Sequence, residues 1–235
     1  MPVTTSQADI ARHIAAVRDE ISRCELKYDR QPGSVSLLAV SKTKPSSLVR
    51  AAAAEGQVAF GENYADEGAG KSLELRELEL IWHYIGHIQS NKTKLIATHY
   101  DWVQGVDRIK IARRLHEHRG AENQPLNVCI QLKLDTEESK SGCSVSEVDE
   151  LADVIAGAEH LTLRGVMTIP APREEFSEQR AVFAELHECY QKLKNRCSSV
   201  DTLSMGMSGD MEAAIAEGAT MVRIGTAVFG AREKR

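Results

Sequence analysis

Residues 200–230 read VDTLSMGMSGDMEAAIAEGATMVRIGTAVFG, which divides into strand, helix and strand. VDTLSMG is a short apolar strand, DMEAAIAEG has helical spacing and closes on glycine, and TMVRIGT is a second strand before a small turn, AVFGA. The same unit repeats towards the N-terminus. SVSLLAV, QVAFG, IWHYIG, DWVQGV, PLNVCIQLKL and LTLRGVMTI read as six earlier strands. SSLVRAAAAEG, NYADEGAGKSLELRELEL, NKTKLIATHY, RIKIARRLHEHRG, SEVDELADVIAGA and REEFSEQRAVFAELHECYQKLKN are the helices after them. Strands recurring about every 30 residues match the strand-helix-strand unit. Eight of them predict an α/β fold, a (β/α)8 TIM barrel. An open doubly wound sheet is the alternative, because one misplaced boundary changes the strand count. Ile10, Ile14, Val17 and Ile21 predict an additional N-terminal helix beginning near Ser6 or Gln7. Ser46 or Ser47 is expected to cap the helix after strand one. No Gly-rich or Pro-rich linker divides the chain, so residues 1–235 are read as a single domain.

Composition narrows the function. Lys plus Arg total 29 against 34 for Asp plus Glu, and a net charge of −5 gives no general attraction to nucleic acid. No run approaches the ~18 apolar residues of a membrane span, and the charged N-terminus lacks the apolar run of an export signal. A cytoplasmic protein is expected, and a monomer, since no coiled-coil pattern or dedicated interface is visible. The five cysteines, Cys24, Cys129, Cys143, Cys189 and Cys197, are odd in number and contain no CxxC pair, which argues against a disulfide framework or a structural zinc site. NKT at Asn91 matches a glycosylation acceptor, which without export is only sequence.

A barrel carries its chemistry at the C-terminal ends of its strands. Those positions hold Lys42, then Glu62 and Asn63, then GHIQSNK, then Asp107 and Arg108, then DTEESKSG, then Met167, Thr168 and Pro170, then MGMSGD, and finally Arg223, Ile224, Gly225 and Thr226. The loops after strands seven and eight are where barrels bind phosphate. GMSGD offers small residues, the Ser208 hydroxyl and a starting helix, and IGT offers a second close backbone approach and a second hydroxyl. Alternatively these glycines only make turns, and Ser208 or Gly209 caps a helix. No GxxxxGK[ST] or GxGxxG is present, which sets a nucleotide P-loop aside.

Lys42 follows the apolar run LLAV after a single serine, Ser41. Partial burial favours a neutral amine, which can attack an aldehyde and form a Schiff base. A salt-bridged surface lysine and a phosphate-binding lysine are the other readings, and Lys44, two residues on, competes for the inward role. Arg223, between apolar neighbours in MVRIG, needs an acceptor, either in an ion pair within the barrel or on a ligand. The spacing of His83 and His87 gives little support to a metal pair. His116 and His118 lie on a charged helix. Glu62 and Asp107 are candidate acids without paired spacing, and Met205 and Met207 are expected to pack the barrel mouth.

The stretches LLAVSKTKP, FGENYADE, WHYIGHIQSNKTK, DTEESKSG, LRGVMTIP and LSMGMSGDMEAAIAEGATMVRIGTAVFG together resemble the pyridoxal 5′-phosphate homeostasis proteins, the YggS/PROSC family. The resemblance runs from about residue 6 to about residue 232. It implies a barrel similar to the N-terminal domain of alanine racemase. It also implies that Lys42 holds pyridoxal 5′-phosphate as a Schiff base, with Asn63 and Met167 near the cofactor. Ser208, Gly225 and Thr226 would receive the phosphate, Arg223 would face the pyridine nitrogen, and Ser204 would be a neighbour. Gly209 departs from the pattern, where a bulkier residue is common. A role in vitamin B6 and amino-acid homeostasis follows, with the cofactor stored and passed to PLP-dependent apoenzymes rather than used in efficient catalysis. An arginine beside the ring nitrogen weakens the electron sink, and the chain ending just after strand eight is expected to leave no second domain with another acid–base group. The opposing readings are an amino-acid racemase, a Schiff-base aldolase, and an interaction module whose surface the cofactor alters.

Overall fold

The structure, a computed structural model, describes residues 6–135 and 141–231. Eight strands alternate with helices: β1 (Ser36–Val40), β2 (Ala59–Glu62), β3 (Ile81–Tyr84), β4 (Trp102–Val106), β5 (Leu126–Leu132), β6 (Leu161–Thr168), β7 (Thr202–Ser204) and β8 (Met221–Ile224). Each pairs in parallel with the next, and β8 closes on β1 with Leu38 opposite Arg223 and Ala39 opposite Ile224. That last pairing makes the sheet a closed barrel and removes the open-sheet alternative. The helices are α1 (Gln7–Lys27), α2 (Ser46–Ala54), α3 (Ala65–Glu74), α4 (Thr93–His99), α5 (Ile109–Arg119), α6 (Val148–Ala156), α7 (Phe176–Arg196), α8 (Met211–Ala216) and α9 (Thr226–Phe229).

Helix α1 is the additional N-terminal element. Ser6 caps it reciprocally: its hydroxyl accepts from the N–H of Asp9, and the Asp9 carboxylate accepts from the N–H of Ser6. Ile10, Ile14, Val17 and Ile21 are buried along one face, where α1 packs against α2, α8 and α9 outside the β1–β8 seam. Near its end the buried Glu25 carboxylate accepts from the backbone N–H groups of Gly33 and Val35, which tethers the loop leading into β1.

The start of α2 differs from expectation. Pro45 occupies the N-cap and no side chain caps the helix, because the Ser46 hydroxyl donates to Glu74 at 2.6 Å instead. The long helical reading after β2 also breaks. α3 stops at Glu74, a single 3₁₀ turn follows at Arg76–Leu78, and Glu79 ends that turn at φ 51°. β7 has three residues rather than seven because Gly206 turns the chain at φ 94°, where a Cβ would lie 2.6 Å from Ala214 Cβ.

Alternation along the strands sorts their residues into two layers. Ala39, Phe60, Val103, Val128, Val166, Leu203 and Val222 face the helices in the main core. Leu38, Val40, Ile85 and Met221 form a separate cluster inside the barrel. The rest of that interior is mixed: the polar His83, Gln104, Ser204 and Arg223 are buried there, with Met167 and Cys129 on the same inward face of their strands. Gln104 on β4 reaches Met221 on β8, the opposite wall, at 3.2 Å, so both side chains cross the lumen.

The outer layer depends on α1 filling the seam. Ile14→Ala leaves a cavity at a site 1% exposed and is expected to cost about 2–5 kcal/mol. Urea unfolding should show this as a lower midpoint at an unchanged slope.

Candidate functional site

The polar lumen is ordered from one end. Arginine has only donors. The Arg223 guanidinium donates to Ser204 Oγ at 2.9 Å and to the carbonyl of Thr168 at 2.7 Å. Ser204 therefore turns its own hydrogen to Gln104 Oε1, at 2.6 Å. This leaves the Gln104 amide N–H₂ to face His83 Nδ1 at 3.0 Å, which must then be the unprotonated acceptor of a neutral imidazole. Burial agrees, pushing the His83 pKa down to about 3. His83 is also stacked on Trp102, with ring centroids 5.0 Å apart. Burial lowers Arg223 to about 10, so it stays charged at neutral pH, with Asp210 contributing attraction. Among the described residues, the direct hydrogen bonds of this buried cation are to neutral oxygens, not to the strand carboxylate that an internal ion pair would need.

Lys42 stands at the rim. Leu38 and Val40 belong to the lumen cluster, and Ser41 N–H still donates to the carbonyl of Gly61, so the β1 ladder continues to the residue before Lys42. Alternation then assigns Lys42 to the lumen side, and it is half-buried. Lys44 goes elsewhere, its amine donating to the carbonyl of Ala231 at 2.8 Å. Beside the rim is a cavity of about 190 Å³ lined by Asn63, Ile85, Gly86, His87, Gln131, Ser141 and Ile169. Asn63 Oδ1 is buried there without a hydrogen-bond partner among the described residues.

The anticipated residues fall into three groups. Ser204 and Arg223 are bonded to each other, and Met167, fully buried, is the register partner of Ser204. Asn63 lines the cavity. Ser208 and Thr226 are exposed, on the loop after β7 and at the first residue of α9, and Gly225 brings its backbone against β1, where a Cβ would sit 3.2 Å from the carbonyl of Val40. Asp210, rather than Ser208 or Gly209, occupies the N-cap of α8, and its carboxylate accepts from the N–H of Met207 at 2.6 Å. Gly209 has open space where a side chain would project, so nothing packed against it requires glycine.

Other expectations need correction. Met205 packs in the helix-facing core rather than at the mouth, because Ser204 takes the inward position of β7. Asp107 and Glu62, candidate acids that no spacing pairs, each meet a cation, Arg108 and Lys71. Residues 136–140 of DTEESKSG lie outside the described residues. Gln104 and Gln131 were missed, while His87 and Ser141 lie in the stretches GHIQSNK and DTEESKSG already placed at strand ends. The inward parity of Gln104 on β4 was the available signal for it. The 2.8 Å hydrogen bond between His87 and Ser141 joins residues 54 positions apart, which no local pattern announces.

The family described as alanine racemase, N-terminal domain, matches residues 13–233. The pyridoxal phosphate homeostasis protein of Escherichia coli K12 is 51% identical over 228 residues, covering 96% of this chain and 97% of that one. The protein of the same name from Pseudomonas aeruginosa is 53% identical over 224 residues, covering 95% and 96%. Among solved structures, PipY of Synechococcus elongatus with PLP bound superposes with a TM-score of 0.80 at 34% identity, covering 94% of this chain and 100% of that one.

The neutral His83 imidazole has a pH signature. An unfolded His83 takes up a proton as pH falls through about 6.5, whereas the folded one resists until about 3. Stability held above pH 6.5 is therefore lost on acidification. Between about pH 7 and pH 5, wild type should lose ~2 kcal/mol more unfolding free energy than His83→Gln. Parallel curves in chemical denaturation would contradict this.

Proposed function

The chain belongs to the pyridoxal phosphate homeostasis family, built on the barrel of the alanine racemase N-terminal domain, and from that premise we propose that it binds pyridoxal 5′-phosphate covalently but exchangeably, without efficient turnover of a substrate. The observation that carries this reading is the place of Lys42, the next lumen position after Val40, half-buried at the barrel rim. When bound, the cofactor supplies an electrophilic aldehyde and an anionic phosphate.

The residues present fit such a ligand. Lys42 provides the amine. Asn63 Oδ1, buried without a partner among the described residues, is an acceptor suited to a donor such as a phenolic hydroxyl. Ser208, Gly225 and Thr226 provide hydroxyls and backbone N–H groups for the phosphate. Helices α8 and α9 have only six and four residues. Their dipoles are correspondingly short, so these hydrogen bonds carry the phosphate contact rather than a macrodipole. Arg223 would face the ring nitrogen with Ser204 fixing its guanidinium, and Met167 supplies apolar packing beside them. A group that only donates keeps that nitrogen an unprotonated acceptor, which withholds the positive charge a strong electron sink uses.

These features favour a store over an enzyme: the reactive aldehyde is masked, and the ring is left electronically weak. The homeostasis name carried by the relatives agrees, and apoenzymes that require the cofactor are the receivers this reading implies.

Lys42→Ala should abolish the absorbance of covalently bound cofactor, while the phosphate contacts preserve weaker binding. Unchanged absorbance would remove Lys42 from its role. Loaded wild-type protein in deuterium oxide should exchange the α-proton of alanine at a rate close to that of free cofactor. Exchange at about one per second or faster would establish an enzyme instead.

A further inference from the structure

The two residues that flank Lys42 are both held from α3. Lys71 Nζ donates to the carbonyl of Ser41 at 2.8 Å, to Glu62 Oε1 at 2.7 Å and to Glu67 Oε1 at 2.7 Å. The Ser41 hydroxyl donates to the same Glu62 oxygen at 2.6 Å. On the other side, the N–H of Thr43 donates to Glu67 Oε1 at 2.6 Å. Thr43 has φ 63°, a left-handed conformation that a β-branched residue adopts only when its surroundings impose it. The N–H of Lys44 then closes the turn on the carbonyl of Ser41 at 3.1 Å.

We propose that Lys71 and Glu67, anchored by Glu62, are positioning residues that clamp the backbone on both sides of Lys42 and so fix where its amine stands in the barrel mouth. The proposal rests on reading Lys42 as the covalent attachment point.

Three features support it. Lys71 is 6% exposed and Glu62 is fully buried. Apolar side chains of similar volume commonly hold a fold as well as a buried ion pair does. Charges at this place are therefore explained better by the backbone atoms they grip than by stability alone. Burial pushes the Glu62 carboxyl up in pKa, while Lys71 and Ser41 pull it back, so the carboxylate depends on the network it anchors. All three Lys71 N–H donors are taken by oxygen, which offers no lone pair to an aldehyde and leaves that chemistry to Lys42. Gly68 makes the reach possible. A Cβ there would lie 1.9 Å from Tyr100 Oη and 2.9 Å from Glu62 Cβ, so only glycine lets α3 approach β2 this closely.

The test uses Glu67, whose side chain, 29% exposed, is less buried than those of Lys71 and Glu62. Wild type, Glu67→Ala and Glu67→Gln, all full length, are loaded with pyridoxal 5′-phosphate. Release of the cofactor, absorbance of the bound form and the unfolding midpoint are measured for each. Glu67→Ala should release cofactor about tenfold faster, equivalent to ~1.4 kcal/mol, with its bound absorbance altered. Glu67→Gln keeps an oxygen for Thr43 and should stay within about threefold of wild type. Release from Glu67→Ala at the wild-type rate would overturn the clamp. So would equal acceleration in both variants that tracks a shared fall in unfolding midpoint. Absence of a borohydride-trapped adduct on Lys42 in wild type would instead remove the underlying reading, which keeps the two failures distinct.

Discussion

Side chains alternate across β1, so Leu38 and Val40 enter the lumen while Ala39 meets the helix layer and the Ser41 hydroxyl reaches Glu62. A slip of one residue would exchange the two sets. The apolar pair would then face the helices' side of the wall, and the lysine at the rim would turn outward. The register is held at both edges of the strand. Leu38 is paired with Arg223 on β8 and Val40 with Gly61 on β2. Gly61 leaves room for Leu38 and Ile85, since a Cβ there would come within 3.2 Å of Ile85 and 3.3 Å of Leu38. Glu25 fixes the approach to the strand by binding the N–H of Val35. The same alternation thus sets the side of the wall that Lys42 follows, the lumen packing and the grip of α3.

Deeper in the barrel, a cation without acceptor capacity imposes direction on its neighbours. From Arg223 through Ser204 and Gln104 to His83, each group has one role left once the previous bond is made. In a low-dielectric interior such a chain polarises along its length, and its charge is felt more strongly than at the surface. A barrel lined only by aliphatic layers would be easier to fill. Polar residues here cost desolvation, which the bonds from Arg223 to Ser204, Ser204 to Gln104 and Gln104 to His83 offset. The result is a fixed positive end facing a rim with an amine, a combination suited to retaining an anionic aldehyde while giving a substrate carbanion little support.

Much of this was legible in the sequence, because the barrel is written as repetition. Eight apolar runs at regular spacing give the strands, and LLAV followed by a lysine places an amine at a strand end. What escaped depends on contacts between distant segments. Gln104 and Ser204 are 100 positions apart, and only barrel closure brings them to 2.6 Å. Lys71 lies in NYADEGAGKSLELRELEL, a stretch read only as a helix. Its burial follows from the close approach at Gly68, which a pattern of apolar residues does not reveal. Met205 was assigned to the mouth by its neighbourhood in the chain, whereas the inward turn of Ser204 sends it to the outer core. The cap of α2 failed for a similar reason: Ser46 found a partner in Glu74, 28 residues away.

The account stands on a covalent bond at one amine, with two other lysines close by in the fold. Loaded wild-type protein can be reduced with borohydride, digested and mapped by mass spectrometry. The account predicts a phosphopyridoxyl group on Lys42, with Lys44 and Lys71 unmodified. Modification of either neighbour in its place, or no adduct under saturating cofactor, would contradict it.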